Sequence, residues 1–471
     1  MAKKITENKT RRTASIVRNV RARYDAAQLT RENSRHWANA DAYDAVRANE
    51  SSVRSRLRQN ARYEVANNSY AKGIVLTLAN YLIGSGPRLQ IISDNQSLNQ
   101  EIEGRFEEWS RSIDLAGKLR TMRMARCQDG EAFGLMYSNT AKSGITLDLR
   151  LLEADQVDSV DLIGGKYVQG INFDENGNPV SYSVLKNHPG GLNPTYGDYI
   201  DVPAKFMLHW FRADRPGQIR GVPEITPALP LFAHLRRYTL AVVSTAEIVA
   251  EFTMFLKSNG APDGVPTDLR TALGGDFAEV QVERGMLTTL PEGWEPFQLR
   301  SEQPGTTYDM FKREILNEIA RCLNIPYNIA ACNSSSYNYA SGRLDHQTFF
   351  KSISVDQSNC ELAVVDPLFS AWLDEAERVY GWNLPSRKHQ WFWDGLEHVD
   401  PSKEADAQST RLANNTTTLA IEYARQGRDW EVELRQRAKE LELCKKLGIP
   451  VSELNKTTKV KEDEEESKKS K

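Results

Sequence analysis

Cysteine is scarce: five residues in 471, with no C-x-x-C pair. Cys127, Cys322, Cys332, Cys360 and Cys444 are too dispersed for a disulfide framework or a thiolate metal site. Free thiols in a reducing compartment are the expectation. No uncharged apolar run of about 18 residues occurs, so neither a membrane span nor a membrane partner is expected. The first residues, MAKKITENKTRR, carry no apolar core, so no signal peptide is expected. There is no G-x-x-x-x-G-K-[ST], G-x-S-x-G, G-x-G-x-x-G or H-E-x-x-H. The seven histidines form no H-x₃-H pair. With these motifs missing, the expectation is a protein that is not an enzyme and holds no cofactor and no metal.

Three weaker chemical patterns point the same way. His389, Asp394 and His398 sit among Trp391, Phe392 and Trp393, where packing is the expected role. Asp345-His346 is a single step on a helix. Ser334, Ser335 and Ser336 have no base in register, so a flexible loop is expected there instead of a nucleophile.

What is present is an ordinary globular balance, 40% apolar and 26% charged. The net charge of −3 excludes a globally basic nucleic-acid binder. Charge is uneven, however. Met1–Tyr63 holds 15 Lys+Arg against 6 Asp+Glu, a balance of +9, which leaves −12 on the rest. Residues 1–30 read as a basic arm and 451–471 as a mixed-charge, disordered tail.

Between these ends the pattern is helical from Ser51 to Ile83, with Gly84 as C-cap and Pro87 as stop. A short strand at Arg88–Ile92 follows, then helices at Ser97–Arg111 and Leu115–Gln128. Strand patterns come next at Phe133–Tyr137, Ile145–Leu152, Tyr167–Phe173, Ser181–Leu185 and Phe206–Phe211, with a hairpin turn at Asp174–Pro179. This stretch reads as α+β to about residue 222. Ala228–Leu256 is the most apolar helical pattern, roughly 40 Å long and apolar all round between Tyr238 and Val243. Such a helix must be covered on several sides, by its own domain or by neighbouring subunits. Residues 258–305 form a small β-containing excursion. Pro401 to Leu447 reads as helical.

The segment Thr306–Phe350 organises the chain. Tyr308, Phe311, Ile315, Ile319 and Cys322 recur at helical spacing on one face. Lys312, Arg313 and Arg321 fall on the other face. Asn324 and Pro326 stop this helix. A small, polar, mobile stretch follows, and a second helix runs from about Gly342 toward Tyr380, with a bend or break expected at Pro367. No Lys or Arg lies between Arg321 and Arg343. Each phosphate neutralised adds affinity through counterion release. An uncharged loop therefore suits brief contact with DNA that must not be held.

Five segments, in order, carry a family likeness: YDAA near Tyr24; SVRSRLRQNARYEVANNSYAKGIV; FRADRPGQIRGVPEITPAL; EILNEIARCLNIPYNIAA with SSSYNYASGR; and DWEVELRQRAKELE. With them the chain resembles tailed-bacteriophage portal proteins of the lambda type. Pro230 and the charged tail depart from the pattern. The resemblance implies a homo-oligomeric ring, usually of twelve subunits, at one capsid vertex of the virion. It implies a predominantly helical α+β fold with wing, stem helices, β-containing clip and helical crown. The expected parts are a wing at 31–222, a stem helix at 223–257, a clip at 258–305 and a returning stem helix at 306–323. A tunnel loop at 324–341, wing helix and strand at 342–400 and crown at 401–450 complete the map. The implied channel residues are Asn333, Ser334, Ser335, Ser336, Tyr337 and Asn338, with Lys312, Arg313 and Arg321 as possible channel-facing stem residues. The implied partners are double-stranded DNA without sequence specificity, the terminase large subunit, the major capsid protein and a head-completion or connector protein.

Overall fold

The computed structural model describes residues 33–158, 167–192, 198–251, 255–258, 294–297, 306–335, 337–384, 386–395 and 401–448. The basic arm, the mixed-charge tail and nearly all of the 258–305 excursion lie outside the described residues.

After a short helix α1 (Asn33–His36), the expected long helix is two, α2 (Ser51–Asn67) and α3 (Ser69–Ile83). The break is at Asn68, whose backbone is extended (φ −117, ψ 118). Its side chain accepts from the Tyr70 and Ala71 amides. Asparagine favours such a cap over a helix interior, because its side chain competes for backbone amides. Gly84 ends α3 at φ 52, as expected.

Strand β1 (Arg88–Ile91) leads to helices α4 (Gln96–Ser112) and α5 (Leu115–Asp129). Two antiparallel three-stranded sheets follow. The first joins β2 (Glu131–Ser138), β3 (Leu147–Leu152) and β7 (Met207–Phe211), with β2 central. The second joins β4 (Ile171–Phe173), β5 (Pro179–Leu185) and β6 (Tyr199–Pro203), with β5 central. Strand β6 had no sequence signal. Its Asp201 and terminal Pro203 dilute the strand pattern, which is tolerated because it lies at the sheet edge.

Helix α6 (Leu229–Glu251) is the apolar helix, and it stops before the expected Leu256. Leu256 instead lies in β8 (Phe255–Ser258), paired antiparallel with β9 (Trp294–Phe297). This two-stranded base closes the excursion. Helix α7 (Thr306–Cys322) returns from it, followed by a one-turn helix α8 (Tyr327–Ala330) and the long helix α9 (Tyr339–Cys360).

The α-helical pattern is interrupted just ahead of Pro367, where a bend or break is expected. A π-helical turn at Glu361–Val365 passes into α10 (Asp366–Tyr380), with the proline in its first turn. There the missing N–H costs nothing. Glu361 of the π turn and Asp366 at the start of α10 hold two tryptophans of the segment that follows. Trp393 Nε1 donates to Glu361 Oε1 (2.6 Å) and Trp391 Nε1 to Asp366 Oδ1 (2.7 Å). Strand β10 (His389–Phe392) pairs with β1 some 300 residues earlier. The C-terminal region is helical as expected, in three pieces: α11 (Pro401–Ala413), α12 (Leu419–Arg425) and α13 (Trp430–Leu447). Asn415 (φ 54) and Gly427 (φ 69) turn the chain between them, and Asp429 caps α13.

Three apolar clusters hold these parts. Phe106, Trp109, Phe369 and Trp372 centre the first, between α4, α10 and the β3-β2-β7 sheet. Ile74, Phe232, Leu316, Ile319 and Phe349 centre the second, which α3, α6, α7 and α9 share. Phe133, Val157 and Tyr182 centre the third, between the two sheets.

The C-terminal helices meet the rest near Glu103. Its Oε1 accepts from the Ile91 amide at 2.7 Å. Burial lifts its carboxyl to about 7; the Ile91 hydrogen bond opposes this, and the charges of Asp429 and Glu431 add to it. A raised carboxyl favours the folded state most below its ordinary 4.5, and that contribution is lost as pH rises through about 7. Glu103→Gln is therefore expected to stabilise the protein at pH 8 by about 1–2 kcal/mol, the figure being discounted for partial exposure, and to change little at pH 5. Urea denaturation at the two pH values checks this. Equal effects at both would refute it.

Candidate functional site

Helix α7 buries most of the face its spacing suggests, with Ile319 buried and Ile315 and Cys322 packed against the second cluster, but the face is rotated so that Phe311 falls outside it. Leu316, Ile319, Ala320 and Leu323 are buried, whereas Phe311 is 49% exposed. The leucine and alanine carry the packing, and Tyr308 and Phe311 turn instead to Tyr238 of α6, at 5.6 and 4.8 Å between ring centroids. The three basic candidates follow from this rotation. Lys312 is half-buried, its ammonium 5.2 Å from the Tyr70 ring and 5.7 Å from the Tyr308 ring. Burial pulls its pKa down most strongly, but the Tyr70 hydrogen bond together with the charges of Tyr70, Tyr308 and Asp309 raises it overall. Arg313 lies over the Tyr327 ring at 5.5 Å. Arg321 is exposed and donates to Asn324 Oδ1 at 3.1 Å. Lys312 and Arg313 thus engage aromatic rings of their own chain.

The expected loop 324–341 is shorter and more organised than its composition suggests. Asn324 takes φ 54, ending α7, and α8 then interrupts the loop. Pro326 opens α8, where its fixed φ fits. Asn328 is buried, and its Nδ2 lies 3.0 Å from His346 Nε2 on α9. This hydrogen bond pins the start of the loop to the helix that follows it, and it absorbs His346.

The six polar candidates are local neighbours. The Asn333 amide donates to the Asn328 carbonyl (3.0 Å), and Asn333 Oδ1 accepts from the Ser335 amide (3.0 Å). The Ser334 carbonyl accepts from the Tyr337 amide (3.1 Å). Asn338 caps α9, its Oδ1 accepting from the Ser341 amide at 2.9 Å. Helix α9 therefore begins at Tyr339, three residues before the expected Gly342. Asn333, Ser334, Ser335 and Asn338 are exposed, and Tyr337 is half-buried. Partial burial and the nearby Asp345 charge push the Tyr337 hydroxyl up, so it stays a neutral donor at neutral pH. Ser336 lies outside the described residues.

Behind this segment sits a charge cluster that sequence reasoning missed. Glu224 Oε2 accepts from Arg123 Nη1 (2.9 Å) and Oε1 from Arg126 Nε (2.7 Å). Arg126 Nη2 also contacts both Asp356 oxygens, at 2.9 and 3.0 Å. Both arginines and Glu224 are buried. Despite burial, the two guanidinium groups hold the Glu224 carboxyl down to about 2. The cluster ties α5, the segment before α6, and α9 together. A second pair closes the other end of that segment: buried Arg220 grips Glu131 at 2.7 and 2.8 Å. A Cβ on Gly221 would overlap the Gly130 carbonyl, so glycine is required at this approach. The only sequence signal was the density of arginine and glycine in FRADRPGQIRGVPEITPAL.

The other patterns resolve as packing. His389 pairs with Asp366 (3.2 Å) and packs on Phe369, while Asp394 accepts from Ser85 and Arg88, so the two share no ligand site. His398 lies outside the described residues. Among the described residues, Glu153, Asp155 and His188 alone have metal-ligand spacing. Arg62 Nη2 already sits 2.6 Å from Asp155 and 3.4 Å from Glu153. No described helix is long and apolar enough to cross a membrane.

Residues 30–357 match the family described as "Phage portal protein, lambda family". The probable portal protein of Halomonas phage phiHAP-1 is 25% identical over 450 residues, covering 87% of this chain and 85% of the relative. Among solved structures, the chain is similar to the neck of an empty GTA particle computed with C6 symmetry. There the TM-score is 0.45 and the identity 13%, over 80% of this chain and 93% of that one. It is similar also to the virion of a native gene transfer agent particle, with TM-score 0.44 and 13% identity, over 85% and 99% of the two chains. With well over half its length matched, the chain belongs to the lambda family of phage portal proteins, a predominantly helical virion protein with small antiparallel sheets.

Proposed function

We propose that this portal protein assembles as a ring of twelve at one capsid vertex and passes double-stranded DNA through its centre. The segment 331–338 lines the channel, with Asn333, Ser334, Ser335, Ser336, Tyr337 and Asn338 nearest the duplex. The observation that carries this reading is the 21-residue stretch between Arg321 and Arg343 without a single ionisable Asp, Glu, Lys, Arg or His. Hydroxyl and amide groups touch phosphates without displacing many counterions, so DNA slides instead of being trapped. The same reading makes the protein a passive conduit. ATP chemistry belongs to the terminase large subunit, which docks with the head-completion or connector protein at the clip, 258–305. The major capsid protein surrounds the wing, and the crown is 401–450.

Helix α6 supports the ring. Leu240, Val243 and Ile248 are 57%, 47% and 52% exposed in the single chain, on a helix that its sequence says must be covered. Neighbouring copies are the natural cover. Negative-stain electron microscopy of the purified full chain tests the proposal. Closed rings with a central hole wide enough for duplex DNA are expected. A stable monomer at high concentration would overturn it.

A further inference from the structure

Helices α7 and α9 both pack into the second apolar cluster, yet each leaves a whole face outward. On α7 that face carries Met310, Glu314 and Glu318, spaced at four residues. Arg321 ends the face, occupied with Asn324. On α9 the exposed face runs from Arg343 and Leu344 through Lys351 and Val355 to Leu362 in the π turn, a length of about 28 Å. No carboxylate lies on it. The two acids of α9, Asp345 and Asp356, are half-buried. Among the described residues, the side chains of Glu314, Glu318, Arg343 and Lys351 make no hydrogen bond or ion pair.

One chain thus presents two unpartnered helix faces, one acidic and one basic. Each also carries large apolar side chains more than half exposed, Met310 on the first and Leu344 and Leu362 on the second. A cavity of about 380 Å³ opens beside the basic face, lined in part by Arg212, Leu323, Asn324, Lys351 and Val355. It has room for a bulky side chain. A closed ring needs two different, complementary faces on every copy, because a head-to-tail contact never pairs a patch with itself. The two faces meet that need in charge and apolar content.

We infer that the α7 face of one copy docks on the α9 face of the next, with Glu314 and Glu318 opposite Arg343 and Lys351. The inference rests on the ring reading above and names its subunit contact. Opposed charges set the register and suppress wrong pairings, while the apolar residues supply the adhesion.

The test uses two full-length variants. The first, Glu314→Lys with Glu318→Lys, makes both faces basic. The second, Arg343→Glu with Lys351→Glu, makes both acidic. Each alone is expected to lose rings roughly tenfold or more, by like-charge repulsion at every contact. Mixed in equal amounts they are expected to form rings that alternate the two chains, seen by native mass spectrometry as equal numbers of each. Recovery on mixing shows that both variants are folded. If the single variants assemble as well as the unaltered chain, or if the mixture stays unassembled, the docking is wrong. If the unaltered chain itself forms no rings, the ring reading fails instead.

Discussion

Glu224→Ala is expected to destabilise the protein by about 3–5 kcal/mol at pH 7, because it strands two arginine charges in the interior. Arg123 and Arg126 are both buried, and Glu224 is the carboxylate they share, at 2.9 and 2.7 Å. Asp356 is left to compensate alone, and it is 21% exposed at its side chain, so water screens it. Asp356→Ala should accordingly cost less than Glu224→Ala. The pH dependence has a definite sign. Two arginines hold the Glu224 carboxyl near 2 instead of its ordinary 4.5. Its contribution is therefore complete above about 4.5 and is lost as pH falls toward 2. The gap between the unaltered protein and Glu224→Ala should narrow across that window and stay constant from pH 5 to pH 7. Urea denaturation series at several pH values measure both points. A loss under 1 kcal/mol at pH 7 would mean that the cluster is not a closed, dry network.

Removing Ser334–Tyr337 is expected to leave ring assembly intact and abolish retention of packaged DNA. The deletion spares Asn338, which caps α9, and Asn328, which fixes α8 to His346. Both helices therefore keep their ends, and only the segment between them shortens. Ser335→Lys should act in the opposite direction. A ring of cations would hold the duplex, and each added phosphate contact would steepen the salt dependence by about 0.9 in log–log slope. Packaging would then slow at low salt and recover at higher salt. DNA content of filled particles, measured against ring yield, separates the outcomes. Loss of rings in the deletion would make 334–337 a packing element between subunits. Unchanged DNA content would remove it from the channel.

The sequence made the helices legible where periodicity was long, as in α4, α5, α6 and α7, all found within a few residues of their expected bounds. It misjudged breaks that depend on one side chain. Asn68 divides α2 from α3 by capping, a choice that a helical average hides. At Pro367, by contrast, the expected interruption is present, and the π turn before it puts the proline where a first turn accepts it. The rotation of α7 was misjudged because aromatic positions outweighed Leu316 and Ala320 in the pattern. Tertiary packing chose the smaller residues for the core and gave Phe311 to the surface. The polar character of the loop could be read directly. Its pins could not, because Asn328–His346 spans 18 residues and Arg126–Asp356 spans 230. Pairings at such separations leave no local signal.

The position of the loop relative to DNA is the central claim, and site-specific photo-crosslinking tests it most directly. A photo-crosslinking residue is placed at Ser335 in one preparation and at the fully exposed Leu192 in another, and DNA-filled particles are illuminated. The account predicts crosslinks from position 335 to duplex DNA of any sequence and none from position 192. Crosslinks from position 192 with none from position 335 would contradict it.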